Sequence, residues 1–376
     1  MKTREKMKTI LFYSPFMGHT GSEMMVKYII NNVNTYRFVL ISGENGTLLS
    51  EIKTKHPVYV LPDNNIFFKI INHFFKKFFK IDATNVWFRY IIKKYSPKLV
   101  IINSIVSHKM YQLIRKNNLP FISYVHELPP HYDLLESDLL DWVVRSCSGT
   151  IGCSTLVCNY LKEIGFKNIH LFYECIDSRE ITIDTSLAIE IEKKLKKYRK
   201  IFVMSGRRVY EKGFHLLPEL AEYLMRKNSA IIWIGGSGKW GLDWVTKKRI
   251  EAKHLDNVIF TGLITSRTEY YTWISVADAF ILTSIIDPYP LVMIEAAYLK
   301  KPIFSFNSGG VNEFVKDKMG KVVESTSLND LIKILDKFIN DELEFDYELL
   351  HKEALKHDIN NNIDKFNNII SSFLNN

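Results

Sequence analysis

The strongest constraint in this chain is a rhythm, in which short β-branched and aromatic runs recur between longer segments of helical periodicity. "TILFYS", "RFVLIS", "PVYVL", "KLVIINS", "PFISYVH" and "TIGCS" lie in the first half, and "KIFVMSG", "AIIWIGG", "NVIFTG", "AFILTS" and "PIFSFNS" in the second. Such runs, apolar on both faces and close to turn residues, read as strands covered on both sides. Helical segments between them supply the crossovers that parallel pairing needs. The expectation is an α/β protein with two parallel sheets. A length of 376 residues also suits two domains better than one core. The boundaries read as a first domain over 1–178, a polar linker over 179–200, a second domain over 201–356, and a C-terminal helix over 357–376 that can cross back to the first.

Composition excludes several classes. Hydrophobic residues make up 47% and charged residues 24%, which suits a core-forming chain rather than a disordered one. Ser14 and Pro15 interrupt the first apolar stretch too early for a signal-peptide core, and no run is long enough to span a membrane. Cys147, Cys153, Cys158 and Cys175 lack CxxC spacing, so neither a zinc site nor a redox pair is expected. A cytoplasmic protein with reduced thiols follows. The formal charge of +9 is concentrated: residues 66–116 hold eleven Lys and Arg against the single acid Asp82. That pattern makes one basic face.

Several strand ends carry candidate chemistry. In "SGRRVYEKGFHLL", Gly206 ends a strand, Arg207 and Lys212 lie five apart, and Gly213 is expected to open the next helix. Two cations above a strand's carboxyl end suit a diphosphate; an exposed basic turn would use the same residues. "IGGSGKWG" spells GxGxxG with Gly236, Gly238 and Gly241, but the next strand ends in Thr261 and Gly262 without the acid that holds a dinucleotide's ribose. A nicotinamide oxidoreductase is therefore disfavoured. "YVHELPPH" has the wrong His spacing for a zinc protease, and Pro129 and Pro130 forbid the helix. His126 and Glu127 can face an interdomain cleft or cap a loop.

"TSIIDPYPLVMIEA" places Asp287 in a loop and Glu295 one turn into an apolar helix that begins past Pro290. The amides of Leu291 and Val292 are then free to meet an anion. A carboxylate at Glu295 needs a polar partner, whether from the protein or from a ligand hydroxyl. "PIFSFNSGGVNEF" adds a second strand running into tight glycines.

Taken together, these stretches resemble the family 4 glycosyltransferases, retaining enzymes of GT-B fold with two facing Rossmann-like domains and an interdomain cleft. "SGRRVYEKG" is similar to the family's GR-x4-KG clamp, "DPYPLVMIEA" to its paired-acid motif, and "SGGVNEFV" to the GG-x-x-E that follows. "NVIFTGLITSRTEYYTWISVADAFILTS" is similar to the segment between the clamp and the acids. "PFMGHTGSEMMV" resembles the family's GG-x-E loop, with Thr20 at the first glycine and Gly21 at the second. "YECID" stands where N-G-I-D is common, so Glu174 and Cys175 depart from the pattern.

The resemblance implies a UDP- or GDP-sugar donor as co-substrate, no separate cofactor, and a glycan or lipid-linked acceptor for a bacterial surface polysaccharide. Arg207 and Lys212 would hold the diphosphate, Glu295 the ribose, and Asp287 the sugar, with His126 reaching across from the first domain. Thr20, Gly21, Gly206, Gly236, Gly262, Leu263, Ile264, Tyr289, Pro290, Leu291 and Val292 would line the donor. No DxD pair suggests a metal. The reading from another class is a non-catalytic glycan-binding or scaffold protein of the same fold at the membrane surface.

"IFFKIINHFFKKFFKI" (66–81) divides on a helical wheel into an aromatic and a basic half. Phe67, Phe74, Phe75 and Phe78 lie on one side, Lys69, Asn72, His73, Lys76, Lys77 and Lys80 on the other. This composition suits an interfacial helix on an anionic membrane or a helix packed on the sheet with solvated lysines. The relatives' lipid-linked acceptors favour peripheral contact at the inner face of the cytoplasmic membrane. No nucleic-acid motif accompanies the charge.

Overall fold

The computed structural model describes residues 7–52, 55–236 and 241–374, and each apolar run named above forms a strand there. Two units result: 1–174 with 359–376, and 175–358. In the first, β1 (Thr9–Ser14), β2 (Arg37–Ser42), β3 (Val58–Val60), β4 (Leu99–Asn103), β5 (Phe121–Val125), β6 (Gly149–Gly152) and β7 (Ile169–Leu171) form a sheet in the order β3-β2-β1-β4-β5-β6-β7. In the second, β8 (Ile201–Ser205), β9 (Ala230–Ile234), β10 (Val258–Gly262), β11 (Ala279–Leu282), β12 (Ile303–Phe306) and β13 (Gly320–Val323) are ordered β10-β9-β8-β11-β12-β13. The pairings are parallel, for example β1 with β2 and β4, and β8 with β9 and β11. Each unit is a doubly wound, Rossmann-like α/β domain.

Both sheets wind outward, return, and wind the other way. The order reverses between β1 and β4 in the first unit and between β8 and β11 in the second. Loops leaving adjacent strands there diverge to opposite faces, so a crevice opens at the carboxyl ends. The strands at these points are buried, with Phe12, Ile101, Phe202 and Phe280 fully covered. A rigid floor therefore lies under each crevice.

Two short edge strands, β7 "IHL" and β13 "GKVV", carry too few apolar residues to register as strands in sequence. The segment 179–200, read as a linker, is folded within the second unit. Asp184 caps its helix Thr185–Leu195 by accepting from the amides of Ser186 and Leu187. Ile191 and Leu195 of that helix are buried. The charged sequence is its solvent face, and the few apolar residues at helical spacing make the contact. The final helix, Ile359–Leu374, belongs to the first unit, where Phe366 meets Phe172 and Tyr36 donates to the carbonyl of Asn367 at 3.4 Å.

Candidate donor site and a buried histidine

In the second unit, the residues singled out from sequence gather at the β8/β11 switch point. The loop after β8 passes Gly206, Arg207 and Lys212 and ends at Gly213, whose φ of +71° puts it in the left-handed region. A Cβ there would lie 2.3 Å from the carbonyl oxygen of Thr283, so only glycine lets the two loops close. Thr283 Oγ1 donates to the Lys212 carbonyl at 3.0 Å, and the Ile285 amide to the Glu211 carbonyl at 2.8 Å. Gly213 does not open the helix as expected. A 3-10 turn, Phe214–Leu216, intervenes, and the helix Leu217–Arg226 begins with Pro218 in its first turn.

The two cations of the clamp differ. Arg207 is exposed and makes no ion pair among the described residues, whereas Lys212 Nζ is paired with Asp287 Oδ2. Asp287 is only 7% exposed, and its backbone is fixed from the other side: its amide donates to the Ser308 carbonyl at 2.8 Å, and its carbonyl accepts from Gly310 at 3.3 Å. The Ser308–Gly310 turn thus sets the height of Asp287. A Cβ on Gly310 would meet the Pro288 carbonyl at 2.1 Å, which explains the glycine. The second residue of the doublet, Arg208, points inward and pairs with buried Asp243 at 3.1 Å, supporting the loop from beneath.

The helix Leu291–Tyr298 starts directly after Pro290, as the sequence implied, and first-turn amides of a helix have no partner within it. Glu295 is 1% exposed, and its polar partners are protein groups. Tyr270 donates to Oε2 at 3.0 Å, Tyr271 to Oε1 at 3.1 Å, and the Arg267 guanidinium pairs with Oε1. Burial, with the nearby Glu295 charge, pushes the Tyr270 hydroxyl well above its ordinary titration, so it stays a donor. Tyr270 also bonds Ser205 Oγ at 3.1 Å, tying the acid to the end of β8. Sequence reasoning missed Arg267, Tyr270 and Tyr271. The available signal was a buried acid demanding donors and a polar helix start, "SRTEYY", upstream of it.

The remaining predicted positions divide. Gly206 and Gly262 are tied to β9 and the residue after it through backbone: the Gly206 amide donates to Ile234 at 3.0 Å and the Gly235 amide to Gly262 at 3.1 Å, while Gly236 faces Leu263, whose Cβ would lie 3.3 Å from a Cβ on that glycine. Leu263 is exposed and Ile264 half-buried beside them. Gly238 lies outside the described residues. Pro290 and Leu291 are buried, and Val292 half-buried. Tyr289 is buried with its hydroxyl 3.3 Å from His357 Nε2, so its side chain anchors the loop inward.

In the first unit, Thr20 precedes the helix Gly21–Asn32 and its hydroxyl bonds Glu23. His126, just past β5, is buried, with Nδ1 2.6 Å from Glu174 and Nε2 2.9 Å from Asn103 Oδ1. Glu127 accepts from the amides of Ile105 and His126 at 3.1 and 3.0 Å, so it caps the β4 loop. His126, Cys153 and Glu174 place donor atoms within 4.8 Å of one another. Both nitrogens of the imidazole already face protein oxygens, so this cluster is a hydrogen-bonded one.

Comparison with known proteins agrees with this architecture. Residues 188–366 match the family model of the glycosyl transferases group 1. Glycogen synthase of Mycobacterium tuberculosis is 26% identical over 227 residues, 56% of this chain and 52% of that one. An uncharacterised glycosyltransferase of Methanocaldococcus jannaschii is 24% identical over 123 residues, 33% of this chain and 31% of that one. The chain thus spans about half, or less, of the curated relatives it matches. Among solved structures, Anabaena HepE in complex with UDP and glucose superimposes with a TM-score of 0.79 at 18% identity, covering 98% of this chain and 100% of that one. A glycosyltransferase of Rickettsia africae gives 0.73 at 18% identity, covering 98% and 99%. The fold is GT-B. Residues 188–366, which include most of the second unit, are similar to the glycosyl transferases group 1.

Closure of the two loops on Gly213 has a measurable consequence. Gly213→Ala combines a left-handed φ with a backbone clash, and is expected to destabilise the protein by roughly 1–3 kcal/mol. Chemical denaturation checks this, and an unchanged midpoint would show that the loops close without the glycine.

Proposed function

We propose that this protein is a retaining, metal-independent glycosyltransferase of family 4 type, moving a hexose from a nucleotide-diphosphate sugar to a glycan or lipid-linked acceptor in bacterial surface polysaccharide synthesis. The observation that carries the reading is the convergence, at one switch point, of Arg207, Lys212, the Leu291 and Val292 amides, Asp287 and Glu295. A diphosphate needs cations and amides; a ribose needs an acceptor; a sugar needs a second acid. The UDP in the Anabaena structures favours a uridine donor.

In this reading the bond from the anomeric carbon to the phosphate oxygen breaks with its electron pair going to the diphosphate. The acceptor hydroxyl bonds the same face of the anomeric carbon, and its proton passes to the departing phosphate. Charge therefore grows on the leaving group, where Arg207 and Lys212 meet it. Lys212 must turn from Asp287 toward phosphate, which leaves Asp287 free to accept from a sugar hydroxyl. Glu295 has one of its carboxylate oxygens doubly engaged and the other bonded once, so a ribose hydroxyl is met by Oε2.

Arg207→Ala is expected to reduce turnover of the accepted nucleotide-sugar by about a hundredfold or more, the scale of losing one charge-stabilising donor. Because Arg207 is exposed, the unfolding temperature should not move. Screening nucleotide-sugars by thermal stabilisation, then measuring donor hydrolysis, tests this; equal turnover removes Arg207 from the clamp. Failure of every nucleotide-sugar to stabilise the protein would favour the glycan-binding or scaffold alternative. Glu295→Ala is a less clean variant, since it strands the Arg267 charge and should cost stability too.

We further propose that the protein sits peripherally at the cytoplasmic membrane's inner face. The helix Ile66–Phe79 is attached to its unit by a polar residue: Asn72 is its buried side chain, donating to Thr84 Oγ1 at 2.9 Å and accepting from the Ala83 amide at 2.8 Å. Its apolar sector is outward, with Phe67 72% and Phe78 61% exposed and Phe74 and Phe75 beside them. Lys69, Lys76, Lys77 and Lys80 flank that sector and are exposed. The packed-helix alternative required the aromatic half to be covered. No helix among the described residues is long and apolar enough to cross a membrane. An aromatic stripe bordered by lysines fits the headgroup boundary of an anionic bilayer. The protein should co-sediment with vesicles containing phosphatidylglycerol at low salt and release at high salt, and Phe67→Ser with Phe78→Ser should abolish binding. Equal binding of the double variant would overturn this contact.

A further inference from the structure

The first unit contains a buried ion pair whose acid, Glu174, the proposed donor site does not include. His126 and Glu174 side chains are 6% and 4% exposed and 2.6 Å apart. Which protons they carry can be read from their neighbours. Ser14 donates its hydroxyl to the Phe16 carbonyl at 2.7 Å, so its oxygen can only accept from Asn103. The Ser22 carbonyl, 3.4 Å from Asn103 Nδ2, can also only accept. The Asn103 amide nitrogen thus faces two acceptors, its oxygen must face His126, and His126 Nε2 must carry a proton. On the other side Nδ1 meets a carboxyl group. Imidazole ordinarily holds a proton more tightly than a carboxylate by about two pH units, so the shared proton belongs to Nδ1.

We infer that Glu174 is a positioning residue that holds His126 as a doubly donating imidazolium, making it a fixed cation at the carboxyl edge of the first sheet rather than an acid–base group. Glu174 stands at the position where the resembling family commonly has asparagine, so this device belongs to this chain's own sequence. The other groups facing the ring are Cys153 after β6, Tyr124 on β5 with ring centroids 4.1 Å apart, Glu127 in the same loop, and Glu23 on the helix Gly21–Asn32. Burial alone would lower the imidazole's titration, but the charge and hydrogen bond of Glu174, aided by Glu127 and Glu23, raise it. The sign for stability follows: the pair stabilises the fold fully below the histidine's ordinary range, and that contribution is lost as pH rises through the raised value.

The chain Glu174–His126–Asn103 ends at Ser22, beside the start of the helix Gly21–Asn32. Its effect is to lock the strand ends and that helix start in one arrangement. Resting on the transferase reading, the consequence is a kcat/KM profile that does not fall where an ordinary histidine would titrate, near pH 6.5.

The test uses the full-length protein labelled with 15N-histidine, with the His126 ring signals assigned by their loss in His126→Gln. Two-bond 1H–15N correlation from pH 5.5 to 8 should show both ring nitrogens protonated throughout. Glu174→Gln should convert His126 to a neutral ring protonated at Nε2 by pH 7.5, and Glu174→Asp should restore the doubly protonated form. A neutral His126 in the wild type at pH 7 overturns the inference, whether or not Glu174→Gln folds. A doubly protonated His126 in a protein that turns over no nucleotide-sugar leaves this inference standing and removes the transferase reading instead.

Discussion

The contact on which the donor-site geometry depends is the Lys212–Asp287 pair. It joins the loop that leaves β8 to the loop that leaves β11, the two strands between which the second sheet reverses its winding. Opposite charges at this point hold two loops together without a bound anion, and both members are poorly exposed, so solvent screens the attraction less than at a surface. The pair is not isolated. Gly213 lets the loops touch, and the Ser308–Gly310 turn fixes the height of the acid. In the proposed reaction the same contact is exchanged: the lysine goes to phosphate, and the acid to sugar.

The two acids of the "DPYPLVMIEA" stretch stand in unlike environments. Among the described residues Asp287 is paired with Lys212, a half-buried cation. Glu295 is enclosed by Arg267, Tyr270 and Tyr271, three donors fixed on one helix. A buried carboxylate needs such partners, and breaking a buried pair typically costs about 3–5 kcal/mol. Glu295 is therefore built into the core as much as into the proposed site, and Arg207, exposed and without an ion pair among the described residues, is the cleaner probe of chemistry.

Much of this was legible in the sequence because it rests on local rules. Apolar runs such as "RFVLIS" and "AFILTS" can satisfy their backbone and bury both faces only in a covered parallel sheet. Pro290, with its fixed φ, marks the start of the helix Leu291–Tyr298, whereas Gly213 uses its conformational freedom to close a loop and does not open the helix expected there. What was not legible depends on partners distant in sequence. The inward turn of Arg208 toward Asp243, and the pairing of His126 with Glu174, follow from packing that no spacing rule encodes. The helix Ile66–Phe79 shows the same limit. Its two faces were evident, but that it would attach through Asn72 and turn its phenylalanines outward depended on Thr84 and Ala83 of the next helix. The segment 179–200 looked like a linker because its charged face outnumbers the few residues, Ile191 and Leu195 among them, that it buries.

The exchange at Lys212 is the claim that binding can test most directly. Calorimetric titration of UDP against the wild type, Lys212→Ala and Asp287→Asn separates the roles of the two partners. If the lysine is held by the acid until a diphosphate arrives, Lys212→Ala weakens UDP at least tenfold, whereas Asp287→Asn binds UDP as tightly as the wild type or more so, since an anion is removed beside the phosphate site. Equal weakening by both substitutions would contradict the account, because it would show the pair to be a structural clasp that binding leaves closed.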